Sequence, residues 1–362
     1  MTLRTKVALG LLVFVPISIA AERLGMGEGV VFVTSALAIL PLAVWLSTAT
    51  EELALALGPS IGALLNALFG NATELIIALT ALKAGLVDIV KASITGTVVA
   101  NLLLALGLSM LVGGIGRQEQ RFQPVLARVN GTAMSLAVLA ILIPSLTGMG
   151  EGGHGLGTER FSTFVAWVLL LVYGLTLLFS LRTHSALFEV AEAELGEEAK
   201  AHTPPIFPWL LVLVAATAGV AYESELFMGV VEEVTAKLGL SALFTGVVLL
   251  PLLGGVAEYL TAVTMARKNK MDLAVSVVMG STLLVALLVV PILLLVGPLM
   301  GHPLDLHFQI YELVAIATAV VVSNLVSLDG RSDWLEGVLL LAAYVILAAG
   351  FYFQSMPLAA VS

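Results

Sequence analysis

Gly70-Asn71-Ala72-Thr73-Glu74 and Gly254-Gly255-Val256-Ala257-Glu258 are the stretches that decide how this chain folds. Each sets a single carboxylate in the middle of a long apolar run. The offset between them is 258 − 74 = 184 residues. Without a gap, the same offset pairs Thr80 with Thr264, Asp88 with Asp272, Gly96 with Gly280 and Gly113 with Gly297. Chance matches one such position. A register held from residue 70 to residue 113 marks an internal repeat.

The background is what makes the two glutamates conspicuous. Of 362 residues, 59% are apolar and 11% charged, where a soluble domain carries about 25% charged residues. Mean hydropathy is +1.08. Too few polar residues are present to cover a soluble surface, which excludes a secreted enzyme, a nucleic-acid binder and a disordered chain. An integral membrane protein remains. The net charge of −9 also argues against nucleic acid, which selects clustered Lys and Arg. With no cysteine, disulfides, thiolate metal sites and cysteine nucleophiles are excluded.

A helix needs about 20 apolar residues to cross a bilayer. Counting such runs predicts eleven spans, at 6–21, 28–57, 60–84, 89–114, 124–146, 161–182, 206–238, 241–266, 272–297, 309–328 and 334–353. The second and seventh are too long for a perpendicular crossing and are expected to tilt. The N-terminal run after Arg4 and Lys6 reads as a helix, because no convincing signal-peptide cleavage site follows it. The expected fold is therefore an all-α polytopic membrane protein. It has an N-terminal transmembrane helix (1–22), a first five-helix repeat (28–182), a cytoplasmic acidic helix and linker (183–205) and a second five-helix repeat (206–355). An odd number of spans in each half gives the halves opposite topology, the inverted-repeat signature of secondary transporters.

Loop charges set the orientation. With the N-terminus cytoplasmic, that side collects Arg4, Lys6, Arg117, Arg121, Arg128, Arg182, Lys200, Arg267, Lys268, Lys270 and Arg331, 11 of the 16 basic residues. Arg23, Lys83, Lys91, Arg160 and Lys237 stay outside, as does the C-terminus. Glu189, Glu192, Glu194, Glu197 and Glu198 form the acidic helix, a candidate regulatory element.

Glu74 and Glu258 each lie nine residues from the next basic residue, Lys83 and Arg267. That is about 13.5 Å along a helix, close to half the hydrocarbon thickness. A carboxylate there costs several kcal/mol unless it serves ions or protons. Asn71 shares a helix face with Glu74 at i, i+3, and oxygen donors of this kind suit Ca²⁺ or a similar hard cation. Gly70, Thr73, Gly254 and Gly255 are small and permit either close packing or local unwinding. In the second repeat, Pro251 removes a backbone hydrogen bond one turn before the glycines. Thr97 and Ser281 follow on the next spans, and Asn101 reads equally as a ligand or an interhelical hydrogen bond. Asp88 and Asp272 are expected as helix N-caps, and Glu312 as an interfacial residue. Glu51, Glu52, Glu232 and Glu233 end the two overlong helices, either as acidic vestibules that concentrate cations or as solvated helix ends. All five histidines fall in predicted loops. No Asp pair, Ser–His pair or H-E-x-x-H lies within a span, so the chain is not expected to be an enzyme.

Gly70-Asn71-Ala72-Thr73-Glu74-Leu75-Ile76 resembles the first signature of the Ca²⁺/H⁺ exchanger (CAX) family of the cation/Ca²⁺ exchanger superfamily. Glu258 with Lys268-Asn269-Lys270-Met271-Asp272-Leu273-Ala274 resembles the second. The resemblance extends through Thr183-His184-Ser185-Ala186-Leu187-Phe188 to Asp329-Gly330-Arg331-Ser332-Asp333-Trp334-Leu335-Glu336-Gly337. It implies eleven helices, a prokaryotic plasma-membrane location and proton-driven Ca²⁺ export, with Glu74 and Glu258 as central ligands and Ca²⁺ as substrate rather than cofactor. Departures fall mainly in the second repeat. Gly255 replaces the family's Asn, Tyr259 its His and Leu284 its Gln, while Ala100 replaces a Ser in the first. The expected function is an antiporter exchanging cytoplasmic Ca²⁺ for external H⁺ by alternating access. Na⁺ coupling, another substrate such as Mn²⁺, and a cation channel are the rivals. Partners are the two ions and the lipid bilayer, and the sequence leaves a homo-oligomer open.

Overall fold

Backbone inside hydrocarbon must bond to itself, so apolar runs of this length coil into helices. A computed structural model describes residues 3–148, 156–184 and 204–354. The first half contains α1 (Leu3–Leu11), α2 (Phe14–Arg23), α3 (Glu28–Leu57), α4 (Pro59–Phe69), α5 (Ala72–Lys83), α6 (Val87–Gly114), α7 (Pro124–Gly148) and α8 (Leu156–Leu178). The second contains α9 (Ile206–Lys237), α10 (Ala242–Gly254), α11 (Val256–Arg267), α12 (Met271–Met300), α13 (Ile310–Val326) and α14 (Trp334–Gln354). Seven described helices are long and apolar enough to cross a membrane, and the bent pair α10–α11 makes an eighth.

This differs from eleven uninterrupted crossings for local reasons. The run 6–21 breaks between α1 and α2, where the Pro16 ring opposes the carbonyl of Leu12. The run 60–84 breaks at Gly70-Asn71, and 241–266 bends by 61° at Gly255. The run 309–328 yields the 17-residue α13. The five glutamates of the acidic helix lie outside the described residues.

Two long helices, α3 and α9, pack against each other in opposite directions. Phe32 stacks on Phe227 at 4.8 Å and Trp45 meets Trp209 at 6.5 Å. Between them Leu42 nests on Gly219, where an added Cβ would stand 2.9 Å from its Cδ2. With 32 residues, α9 is roughly 48 Å long, which explains its overhang beyond the bilayer.

Beside this pair lies a body built on α6 and α12. Both carry one π-helical turn at corresponding places, Ala100–Ala105 and Val285–Val289. Two loops cover their ends reciprocally. The loop after α6 sends Gln120 Nε2 to the Ala266 carbonyl and Asn269 Oδ1 (both 2.9 Å), and Gln123 N–H donates to Asp272 Oδ1. The loop after α12 returns to the start of α6, where Lys91 pairs with Asp305 and donates to the His307 carbonyl at 3.1 Å. Asp272 therefore receives a loop instead of capping its own helix, and Asp88 likewise lies in the first turn of its helix with Leu86 at the N-cap.

Glu312 is buried rather than interfacial. It closes a capping box with Gln309 and accepts from Thr95 Oγ1 at 3.2 Å. A two-residue ribbon pairs Gln120–Arg121 with Arg331–Ser332, and Glu119 bridges Arg121 and Arg331. The hydrogen bond from Arg121 holds the Glu119 carboxyl below the usual carboxylate range. Asp333 caps α14 by accepting from Leu335 and Glu336 N–H, and Glu336 returns a contact to Asp333 N–H, a reciprocal cap.

Corresponding glycines in the two halves are packed unequally. A Cβ on Gly96 of α6 would stand 2.2 Å from the Val247 carbonyl oxygen and 2.6 Å from the Pro251 ring, both on α10. Gly280 of α12 meets nothing within 4 Å. Its counterpart of α10, the half-helix α4, leans on α3 through Gly62 and Ala54 and leaves Ile61, Leu64 and Leu68 more than half exposed. Gly96→Ala should therefore destabilise the protein by about 1–3 kcal/mol through overpacking. Gly280→Ala should stay within about 0.5 kcal/mol of wild type. Thermal unfolding of the two purified variants measures the difference, and equal effects would contradict the unequal packing.

Candidate cation site

Both candidate carboxylates stand just after a break in a helix. α4 ends at Phe69, Asn71 adopts φ −117° and ψ 32°, and α5 restarts at Ala72 with Glu74 in its first turn. α10 ends at Gly254, Gly255 adopts φ −83° and ψ 6°, and α11 restarts at Val256 with Glu258 in its first turn. Unbonded N–H groups and the positive end of the helix dipole favour a carboxylate at such a terminus.

The breaks bring the two halves together. A Cβ on Gly254 would lie 3.0 Å from Glu74 Cγ and 3.6 Å from its Cα, so the Glu74 side chain runs directly against glycine backbone. Glu74 is buried, and neither of its carboxylate oxygens meets a donor from another described residue. Glu258 is half-buried. Asn71 and Asn101, from α5's N-terminus and the π turn of α6, both donate from Nδ2 to Ser281 Oγ on α12, at 2.7 and 3.1 Å. With its amide nitrogen so engaged, Asn101 leaves Oδ1 buried without a donor. Thr73 and Thr97 are buried on the same elements, α5 and α6. Gly70 faces Leu284, whose Cδ1 would lie 3.5 Å from an added Cβ.

Among the described residues, the Glu74 oxygens and Asn101 Oδ1 are buried acceptors without donors, a pattern that suits a hard divalent cation or protons. Among the described residues no three His, Cys, Asp or Glu side chains cluster, so neutral oxygens must complete any coordination shell. The backbone carbonyl of Pro251 accepts from Gly255 N–H at 2.9 Å and from Tyr259 Oη at 3.1 Å, so it is already engaged.

The outer acidic residues stand apart from this site. Glu51 accepts from Ser47 Oγ on the exposed end of α3, and Glu52 is half-buried. Glu232 is exposed, and Glu233 pairs with Lys237, which also binds Glu28. Glu51, Glu232 and Glu233 are thus exposed near helix ends, with Glu52 half-buried beside them.

Sequence reading missed the role of Tyr259. A Cβ on Gly255 would fall 2.6 Å from both Tyr259 Cζ and Oη. The ring thus lies over Gly255, and its hydroxyl fills space that a side chain at 255 would take. By the 184-residue offset these two positions correspond to Asn71 and Leu75. The missing amide and the added phenol are one coupled change. The buried Oη of Tyr344 has no hydrogen-bond partner among the described residues. The i, i+4 spacing of glycine and tyrosine was the available signal, but it carries no meaning until the ring direction is known.

Residues 28–182 and 208–353 match the sodium/calcium exchanger protein family. The chain is 50% identical to a Ca(2+)/H(+) antiporter of Aphanothece halophytica over 359 residues, 95% of this chain and 96% of that one. It is 49% identical to a Ca(2+)/H(+) antiporter of Synechocystis, covering 98% and 99% of the two chains. Among solved structures, the Ca2+/H+ antiporter protein YfkE superposes with a TM-score of 0.82 at 36% identity, covering 96% of this chain and 99% of that one.

The glycine–tyrosine contact predicts strong non-additivity. Gly255→Asn alone should be destabilising by about 1–3 kcal/mol, because it collides with the ring. Gly255→Asn/Tyr259→Leu, which copies the first half, should recover most of that loss. A double-mutant cycle on thermal stability should give a coupling energy of about 1–3 kcal/mol. Additive single effects would mean that the two side chains do not share space.

Proposed function

From membership of the sodium/calcium exchanger family, to which this chain belongs, we propose that it is a secondary antiporter exchanging cytoplasmic Ca²⁺ for external H⁺ at Glu74 and Glu258. It is an integral membrane transporter and not an enzyme. The observation that carries the site assignment is the buried Glu74 carboxylate, held without a donor against Gly254 of the opposite half. Such a group is tolerable in hydrocarbon only when a cation or proton neutralises it.

Glu74 and Glu258 are the charged ligands in this reading. Asn71, Asn101 and Ser281 supply neutral oxygens. Thr73, Thr97, Gly70, Gly254 and Gly255 shape the helix breaks. Two carboxylates in one low-dielectric site repel, so at least one favours a proton when no cation is present. Ca²⁺ and protons then compete for the same oxygens. Either loaded form is neutralised enough to reorient, and the bare dianion is not. Competition with that restriction gives exchange.

Alternating access by inverted halves is supported by three features of the fold. Long helices at corresponding places, α3 and α9, run antiparallel, and the end loops of α6 and α12 are exchanged reciprocally. Gly96 is closed against α10 while Gly280 stands open beside a splayed α4. With the N-terminus cytoplasmic, as the basic loops favour, α4 lies on the cytoplasmic side and α10 on the outer side. On this reading the gap between α4 and Gly280 is the cytoplasmic entry route, by which Ca²⁺ would load.

Transport in inverted membrane vesicles tests the reading directly. Wild type should accumulate Ca²⁺ under an imposed pH gradient and not under a Na⁺ gradient, while Glu74→Gln and Glu258→Gln should each fall to background. Retained proton-driven uptake in either variant would remove that glutamate from the site, and Na⁺-driven uptake would replace the coupling ion. Gradient-independent flux would indicate a channel. Access is tested separately, since the chain has no cysteine. Gly280→Cys should react with a membrane-impermeant thiol reagent from the cytoplasmic face and stay unmodified from outside.

A further inference from the structure

Glu223 is a fully buried carboxyl that the proposed exchange site does not use. It lies on α9 where that helix meets α2 and α3, one turn from the Phe227 ring stacked on Phe32. The offset places Ile39 at the corresponding position (223 − 184 = 39), so the group belongs to one half only. Its hydrogen-bond partner is the fully buried Ser18 of α2. Ser18 Oγ stands 2.7 Å from Glu223 Oε1 and 2.8 Å from the Val15 carbonyl oxygen. Glu223 Oε2 is buried with no hydrogen-bond partner among the described residues.

A serine hydroxyl has one proton to give. If Glu223 is ionised, Ser18 faces two acceptors at hydrogen-bond distance and can serve one, leaving a lone-pair contact at the other. A charged oxygen would also be left in apolar surroundings without a donor, at a cost of several kcal/mol. If Glu223 holds a proton, it donates to Ser18 Oγ, and Ser18 donates to Val15. Each short contact then contains one hydrogen, and the remaining Glu223 oxygen is a neutral carbonyl. Among the described residues no cation replaces that proton. On the packed elements, Glu22 and Arg23 of α2 are exposed, Glu28 of α3 pairs with Lys237, and Glu51 and Glu52 lie at the far end of α3. Lys83 of α5 pairs with the exposed Glu225 of α9, and Glu74 lies within the site already described. None of these hydrogen-bonds to Glu223.

We propose that Glu223 is a second proton-binding site of this protein, remote from Glu74 and Glu258, whose bound proton completes a relay from Glu223 through Ser18 to Val15 and fastens the N-terminal helix α2 to α9. Loss of the proton leaves the relay one hydrogen short and loosens that contact. The native state then binds a proton that the unfolded chain does not, so stability falls as pH rises through the titration of Glu223.

Infrared difference spectroscopy and thermal unfolding on the purified full-length protein test this independently of transport. Wild type should show the carbonyl stretch of a protonated carboxyl that disappears in Glu223→Gln, persists in Glu74→Gln and does not move when Ca²⁺ is added. Glutamine donates to Ser18 without charge, so the Tm of Glu223→Gln should stay level over the range in which wild type declines, which starts at the titration of a free carboxyl and ends where Glu223 itself loses its proton. Ser18→Ala removes the acceptor and should shift the band without abolishing it. The Ca²⁺-insensitive band retained in Glu223→Gln, or parallel loss of stability in both proteins, would overturn the proposal. Should Glu223→Gln fail to fold, an unshifted band in Ser18→Ala would overturn it instead.

Discussion

A carboxylate inside hydrocarbon must be met by something, and the environment of Glu74 is organised by that demand. No donor from another described residue reaches its oxygens, so what the fold itself offers the charge is the positive end of a helix dipole. A continuous helix offers no free N–H groups, whereas a broken one exposes them at the new N-terminus. The breaks at Gly70-Asn71 and Gly255 place both glutamates in such first turns. Bringing a break of one half against a glutamate of the other in turn requires Gly254, because a Cβ would stand 3.0 Å from Glu74 Cγ. Small residues at the centre follow from the charge, and the large apolar helices outside it follow from the bilayer.

Much of this is legible in the sequence because a membrane makes polarity expensive. Glu74 and Glu258 stand out against an 11% charged background, and their fixed offset links them before any coordinates exist. Helix interruptions at Gly70 and Gly255 are only half readable, since Gly and Pro in apolar runs fit close packing as well as local unwinding. Side-chain direction is not readable in this way. Tyr259 folds back over Gly255, whereas its counterpart Leu75 has an Asn at the matching position. Asp272 binds the Gln123 backbone across 149 residues of chain, and no local pattern announces such a partner. Glu312 near a span end looks interfacial until its contacts with Gln309 and Thr95 are seen. Glu223 fails for the opposite reason: with Glu225 two residues away, it resembles the polar edge of a tilted helix.

The sequence repeat is nearly symmetric and the packing is not. Gly96 and Gly280 are the same residue at the same register, yet one is pressed against a carbonyl and the other faces open space. Glycine at both places would be wasteful if Gly280 were always open, since alanine is the better helix former. On the alternating-access reading, the second glycine becomes necessary when α4 closes onto α12 as α10 closes onto α6. The present asymmetry then describes one member of an exchanging pair, and the residue choice at Gly280 belongs to the other member.

Asymmetry also enters the ligand set, and there the two halves do not exchange roles. The first half offers Asn71 and Asn101, joined through Ser281, and the second offers Gly255 and Tyr259 in place of an amide. A phenol is a weaker and bulkier oxygen donor than an amide carbonyl, and this one gives its proton to the Pro251 carbonyl. Its oxygen is thereby held in place as an acceptor. In the proposed site, the charge of the two glutamates would set the requirement for a divalent cation or its proton equivalent. Discrimination among cations depends on the number and rigidity of neutral oxygens around that charge. In the proposed mechanism, exchange and selectivity would consequently rest on different residues. The first would reside in two carboxylates at corresponding positions, and the second in the half where Tyr259 has displaced the amide.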